Sequence, residues 1–207
     1  MILRTLSVGM NQTNCYIVAA ADTRRAVVID PGDEGDRIVG DIERNALDVR
    51  YVLLTHAHFD HIGGVARVVD VTGARLGIHP NEQPLLAARG GASLWGLSVE
   101  ASPPPDVDLS DGQTIEVGTL ELQVLFTPGH SPGGVTFYEA NHGVAFVGDL
   151  LFSRGVGRTD LPGGDHSKLM HSIKEVIFGL PDETVVYPGH GPETTVGEEK
   201  RSNPWVR

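Results

Sequence analysis

The segment Thr55-His56-Ala57-His58-Phe59-Asp60-His61 places three imidazoles and a carboxylate within seven residues. In a chain with this histidine and aspartate content, a His-x-His-x-Asp-His pattern arises by chance on the order of 10⁻³ times. If the backbone stays extended from Thr55 to His58, the two-residue period sends His56 and His58 to one side. A turn at Asp60-His61 into a helix would aim those two side chains elsewhere. One motif could then serve two metal ions, the first held by His56, His58 and His130, the second by Asp60, His61 and His190. Asp149, with two carboxylate oxygens, could bridge them. Such ligands suit zinc, iron or manganese, and a catalytic site leaves coordination positions open to water.

The elements that must hold these residues are short. "NCYIVAA", "RAVVIDPG", "YVLLTH" and "ARLGIHP" read as strands, the second stopped by Pro31-Gly32. "EGDRIVGDIERN" places Ile38, Val39 and Ile42 at helical spacing, and "HIGGVARVVDVTG" continues as a helix directly after the histidine cluster. The middle, "NEQPLLAARGGASLWGLSVEASPPPD", holds a short helix, a Gly-Gly break and a triple proline, and reads largely as loop. "QTIEVG" and "LELQVLFTPGH" form a hairpin, followed by strands "GVTFYEA", "GVAFVGD" and "ETVVYPGH". "HSKLMHSIKEVIFGL" puts Leu169, Ile173, Val176 and Leu180 on one helical stripe. Four apolar strands thus end at His56, His130, Asp149 and His190, which collects the chemistry at one edge of the sheets. The pattern predicts an α/β sandwich with helices outside two sheets.

The chain has 207 residues, enough for one domain with a sizeable core. A net charge of −11 without a basic run argues against a nucleic-acid or anionic-membrane partner. Cys15 is the single cysteine, which excludes an intramolecular disulfide and a multi-cysteine zinc site, and it reads as a small buried strand residue. The N-terminus has no signal-peptide pattern and no run approaches a membrane span, so the expected location is the cytoplasm. His79, His142, His166 and His171 lack ligand-spaced partners and read as surface or capping residues.

With "THAHFDH", "TPGHSPGG", "FVGD" and "YPGHG" in this order over nearly the whole length, the chain resembles the metallo-β-lactamase fold superfamily. The resemblance implies a four-layered αββα sandwich, spanning 1–207 as a single domain, with a dinuclear site at its edge. It carries the ligand roles onto His56, His58, Asp60, His61, His130, Asp149 and His190. "GDLLFSRGVGRTDLPGGD" and "YPGHGPETTVGEEK" resemble the short glyoxalase II-like (hydroxyacylglutathione hydrolase-like) branch. Common zinc β-lactamases place a cysteine where Asp149 stands, which argues against that activity. The nuclease branches carry an added substrate domain for which this chain is too short. Only 17 residues follow His190, so the C-terminal helical extension that grips glutathione in full-length glyoxalase II is not expected.

The resemblance implies a metal-dependent hydrolase acting on a small-molecule thioester such as S-lactoylglutathione, with two divalent metal ions, zinc first and iron or manganese as alternatives. Metal-activated water would supply the nucleophile, and Asp60 or Asp149 could hold its proton. A thiolate leaves readily, so no dedicated general acid is needed. The alternative is an iron-dependent persulfide dioxygenase using His56, His130 and Asp149, with a lactonase as a third reading. "PGHGPETT" after the last strand favours the hydrolase. Arg158, and less so Arg154, could meet a substrate carboxylate. Trp95 reads equally as pocket wall or as core packing.

Overall fold

The computed structural model describes residues 1–206. Six strands form a first sheet in chain order: β1 (Ile2–Val8), β2 (Thr13–Ala19), β3 (Arg25–Ile29), β4 (Asp48–Leu53), β5 (Arg75–Ile78) and β6 (Val107–Asp108). The first three are antiparallel neighbours, and β3 to β6 run parallel. Helices α1 (Gly35–Arg44), α2 (Phe59–Ile62) and α3 (Val65–Thr72) make the connections between parallel strands. A short α4 (Gln83–Ala87) and 3₁₀ turns fill the middle.

The second sheet begins with β7 (Thr114–Val117), β8 (Leu120–Phe126), β9 (Val135–Glu139) and β10 (Val144–Gly148), each antiparallel to the next. A two-stranded ribbon follows, β11 (Leu151–Phe152) with β12 (Gly155–Val156), then α5 (His166–His171). Strand β13 (Val185–Pro188) lies parallel to β10, and β14 (Thr194–Thr195) completes the sheet before α6 (Val196–Ser202).

Strand periodicity explains the layering. Along β2, Cys15, Ile17 and Ala19 point to the helices α1 and α3, whereas Tyr16, Val18 and Ala20 point between the sheets. Along β10, Val144 and Phe146 join the inter-sheet layer, and Ala145 and Val147 pack outwards with Leu169 and Ile173. Central strands buried on both faces must read as continuous apolar runs, as "VAFVG" does. Three apolar layers between four structural layers give the αββα sandwich.

The sequence reading needs three corrections. "HIGGVARVV" is two helices, because Gly63 and Gly64 fold against the backbone of Pro31 and Gly32 and accept a break there. The late helix is regular only to His171, then widens into a π turn (Ser172–Val176) and a 3₁₀ turn (Ile177–Gly179). The buried stripe is therefore Leu169, Ile173 and Ile177, and Val176 and Leu180 are partly exposed. β1 and α6 had no assigned element.

Phe137, fully buried in the inter-sheet layer, tests this packing. Phe137→Ala is expected to cost about 3–5 kcal/mol, read as a lower urea midpoint at unchanged slope. Val71→Ala, on an exposed position, should stay within about 0.5 kcal/mol.

Candidate metal centre

Strand ends build the site. β4 leads to Thr55 and His56, β8 to His130, β10 to Asp149 and β13 to His190. The two sheets are stapled together there. Asn14 N–H donates to the Gly189 carbonyl at 2.7 Å, and Val135 N–H to the Thr55 carbonyl at 2.9 Å. The Tyr16 hydroxyl donates to the Pro188 carbonyl at 2.6 Å.

The side chains gather in two groups. Donor atoms of His56, His58 and His130 lie within 4.8 Å of one another, as do those of Asp60, His61 and His190. His58 Nδ1 stands 2.9 Å from His130 Nε2. Asp149 reaches both groups: Oδ1 is 3.4 Å from His61 Nε2, and Oδ2 is 3.7 Å from His130 Nε2 and 3.5 Å from His190 Nε2. Asp60 Oδ2 lies 3.4 Å from His190 Nε2 and accepts from Asn11 Nδ2 at 3.0 Å.

The far nitrogens fix which ring atom points inwards. His130 Nδ1 is 2.8 Å from the Arg158 carbonyl and His190 Nδ1 is 3.1 Å from the Asn11 carbonyl, so both must donate there. His61 Nδ1 donates to Asp30 Oδ2 at 3.0 Å. Thr55 Oγ1 spends its proton on Asp30 Oδ2 at 2.6 Å, so His56 Nδ1, 3.0 Å away, donates to it. Four imidazoles therefore turn Nε2 lone pairs or protons inwards, the arrangement by which outer partners orient metal ligands. His56 Nε2, His61 Nε2 and Asp149 Oδ1 are buried without a hydrogen-bond partner. Buried polar atoms normally find partners, so these residues fit divalent cations that would take up their lone pairs.

A third cluster, Asp30 with His56 and His61, lies equally close. Its carboxylate is already engaged, Oδ1 by Thr55 N–H at 2.8 Å and Oδ2 by Thr55 Oγ1 and His61. Asp30 orients donor candidates and does not add one.

Electrostatics follow from crowding. Burial, with four neighbouring imidazoles adding, pushes His56 well below the usual histidine range. Burial, then His130 and His61, lowers His58 to about 4. Burial works against the charge of Asp149, yet His61, His130 and His190 hold it at about 2. Burial likewise opposes ionisation of Asp60, but His190, His61 and Asn11 hold it well below the carboxylate range. For His61 burial disfavours the proton, and Asp149 and Asp30 overcome it, raising its pKa well above normal. His190 is raised by Asp60 and Asp149 against its burial.

The sequence reading placed the seven donor candidates together, and so does the structure. It missed Asp30, Asn11 and Glu82. Glu82, fully buried, accepts from Ala57 N–H at 2.9 Å and Gly133 N–H at 2.6 Å, joining the loops that carry His56 and His130. Arg158 borders the cavity beside the site, but its Nε and an Nη each meet an Asp160 oxygen at 2.7 Å. Its carbonyl is the part that touches the His130 ring. Arg154 is exposed and is not on the cavity lining. Trp95 is half exposed and lines the cavity, so it is wall and not core. His79 caps the turn at Pro80, and His142 pairs with Glu139, as surface and capping roles require.

Residues 8–190 match the profile of the Metallo-beta-lactamase superfamily. The chain belongs to this family. It is 40% identical to the "Probable metallo-hydrolase YqgX" of Bacillus subtilis, over 98% of this chain and 96% of that one. It is 35% identical to the hydroxyacylglutathione hydrolase GloC of Haemophilus influenzae, over 100% of this chain and 98% of that one. Against the human mitochondrial persulfide dioxygenase ETHE1 it is 34% identical, over 99% of this chain and 75% of that one. Among solved structures, the BLEG-1 B3 metallo-β-lactamase superposes with a TM-score of 0.94 at 39% identity, covering 99% of both chains. TTHA1623 in a di-iron-bound form superposes at 0.90 with 42% identity, covering 98% and 99%.

Two predictions follow from the geometry. Asp30→Ala strands the Thr55 N–H and hydroxyl and releases His61. The expected loss is about 1–3 kcal/mol for each stranded group and about 10–100-fold in metal affinity, read by chelator competition. His61 and His190, with raised pKa values, must give up protons to offer Nε2, whereas His56 and His58 are already neutral near pH 7. Metal affinity should therefore weaken as pH falls, with proton release on uptake measurable by calorimetry in buffers of different ionisation enthalpy.

Proposed function

We propose that the protein is a metal-dependent hydrolase of thioesters, with S-lactoylglutathione as the reference substrate. The second donor group carries this reading. Asp60, His61 and His190 stand complete beside the first group, with Asp149 between the two. A dioxygenase of the two-histidine, one-carboxylate kind would use His56, His130 and Asp149 alone, leaving the second group without a role. The near full-length likeness to GloC, against three-quarters of the ETHE1 chain, supports the same choice.

Bound divalent ions, zinc first with iron or manganese also suited, would supply hydroxide from water near neutral pH and polarise the thioester carbonyl. The chain's own residues do the rest. Asp60, in the second donor group, and Asp149, between the two groups, are ionised, so either can hold the water's proton. Asn11 fixes one Asp60 oxygen, and the Arg158 carbonyl fixes the His130 ring. A cavity of about 720 Å³ opens over His58, Asp60, His130 and Asp149, large enough for a substrate of ligand size.

The test is to load the protein with zinc, iron or manganese separately and supply S-lactoylglutathione, glutathione persulfide and a chromogenic cephalosporin. Thiol release, oxygen uptake and lactam opening are followed in parallel. Thiol release without oxygen uptake is expected. Iron-dependent oxygen uptake with the persulfide, or lactam opening faster than thioester cleavage, would overturn the reading.

A further inference from the structure

The cavity over the donor groups has a second character. Its floor carries His58, Asp60, His130 and Asp149, whereas Met10, Leu94, Trp95 and Leu97 form its wall. These four are among six large hydrophobic side chains left exposed in the described residues, Met10 at 77% and Leu94 at 73%. Single exposed apolar residues are ordinary, but a contiguous group bordering a reactive centre marks a binding surface.

The wall is seated on the metal-binding motif. Gly90 has φ 65°, and a Cβ there would collide with the Phe59 backbone. Only glycine permits that approach, which holds the segment with Leu94 and Trp95 against the start of α2. Beyond the wall, Arg89 lines a neighbouring recess with Leu97 and Val99 and is not on this cavity's lining.

Charge narrows the ligand. Arg158 is the one Lys or Arg on the cavity lining among the described residues, and Asp160 occupies its fork at 2.7 Å on both sides. The carboxylates on the lining, Asp60 and Asp149, belong to the donor groups. A carrier such as glutathione, with two carboxylates, finds no unpaired guanidinium or ammonium on this lining. An uncharged chain finds four apolar side chains.

Resting on the thioesterase reading, we propose that the cavity selects thioesters bearing an apolar, uncharged chain, with Trp95 and Leu94 as specificity-determining residues. The chain can belong to the acyl group or to the thiol, and both present the same chemistry to the wall.

The test measures kcat/KM for acetyl, butanoyl and hexanoyl thioesters of N-acetylcysteamine, for acetyl thioesters of thiols of increasing length, and for the same acyl groups on glutathione. Full burial of one methylene is worth about fourfold, so a rise of about tenfold or more from acetyl to hexanoyl is expected in at least one series. The series that rises identifies the acyl or the thiol side. Trp95→Ala and Leu94→Ala should flatten that slope. A second readout is binding alone. Trp205→Phe leaves Trp95 as the sole tryptophan, and its emission should respond to a non-hydrolysable S-hexyl thioether at concentrations where the S-methyl analogue has no effect. Flat chain-length series, or faster turnover on glutathione than on the neutral carrier, overturn this inference and leave the hydrolase intact. No cleavage of any thioester overturns both.

Discussion

Asp30 is the residue on which the site's geometry depends. It sits at the end of β3, 2% exposed, and a buried carboxylate persists only when hydrogen bonds replace its water. Three groups do so: the Thr55 N–H and hydroxyl from the end of β4, and the His61 ring from α2. By accepting the Thr55 proton it also decides that Thr55 accepts from His56, which directs His56 Nε2 inwards. One carboxylate thus sets the orientation of an imidazole in each donor group. Glu82 performs a similar task between the backbones of Ala57 and Gly133.

The sandwich makes this convergence possible. Each sheet contributes through strands running in one direction, β3 and β4 in the first and β8, β10 and β13 in the second, so their far ends share one edge of the molecule. The cost is crowding, and glycine relieves it where strands meet. A Cβ on Gly189 would overlap both Asp149 Oδ1 and His61, and Gly148, at φ 55°, passes against the Thr55 side chain. No other residue type leaves room for the Asp149 carboxylate and the His61 ring at that meeting point.

Much of this was legible in the sequence because it is local. The His-x-His-x-Asp-His spacing and the runs "VLLT", "LQVLFT", "VAFVG" and "VVYP" identify donors and the strands delivering them without reference to distant contacts. What escaped is non-local. Asp30 before Pro31-Gly32 looks like a turn aspartate, and its role exists only once β4 and α2 lie beside it. Glu82, in the polar run "NEQ", gives no sign that Ala57, 25 residues before it, and Gly133, 51 residues after it, will donate to it. The late helix follows a 3.6-residue period as far as sequence can show, but the π turn shifts the buried position from Val176 to Ile177. The guanidinium of Arg158 reads as available until Asp160, two residues on, is seen to fill its fork.

The same electrostatics constrain the bond that can be cleaved. A poor leaving group, such as an amine or alkoxide, must be protonated as it departs, which calls for a neutral acid near the scissile bond. Asp60 and Asp149 are both held ionised, and nearby cations would hold them lower still. Burial keeps His56 and His58 neutral near pH 7, and protonated imidazole of such low pKa is scarce there. His61 does hold a proton readily, but it is fully buried, its nitrogens face Asp30 and Asp149, and it is not itself on the cavity lining. No carboxylic acid therefore stands at the floor of the cavity until Asp60 or Asp149 takes up the water's proton. A thiol has a pKa of about 8.5 and departs as its anion with little help. Among the bonds a polarised carbonyl could offer this site, the thioester is the one whose leaving group asks least of it.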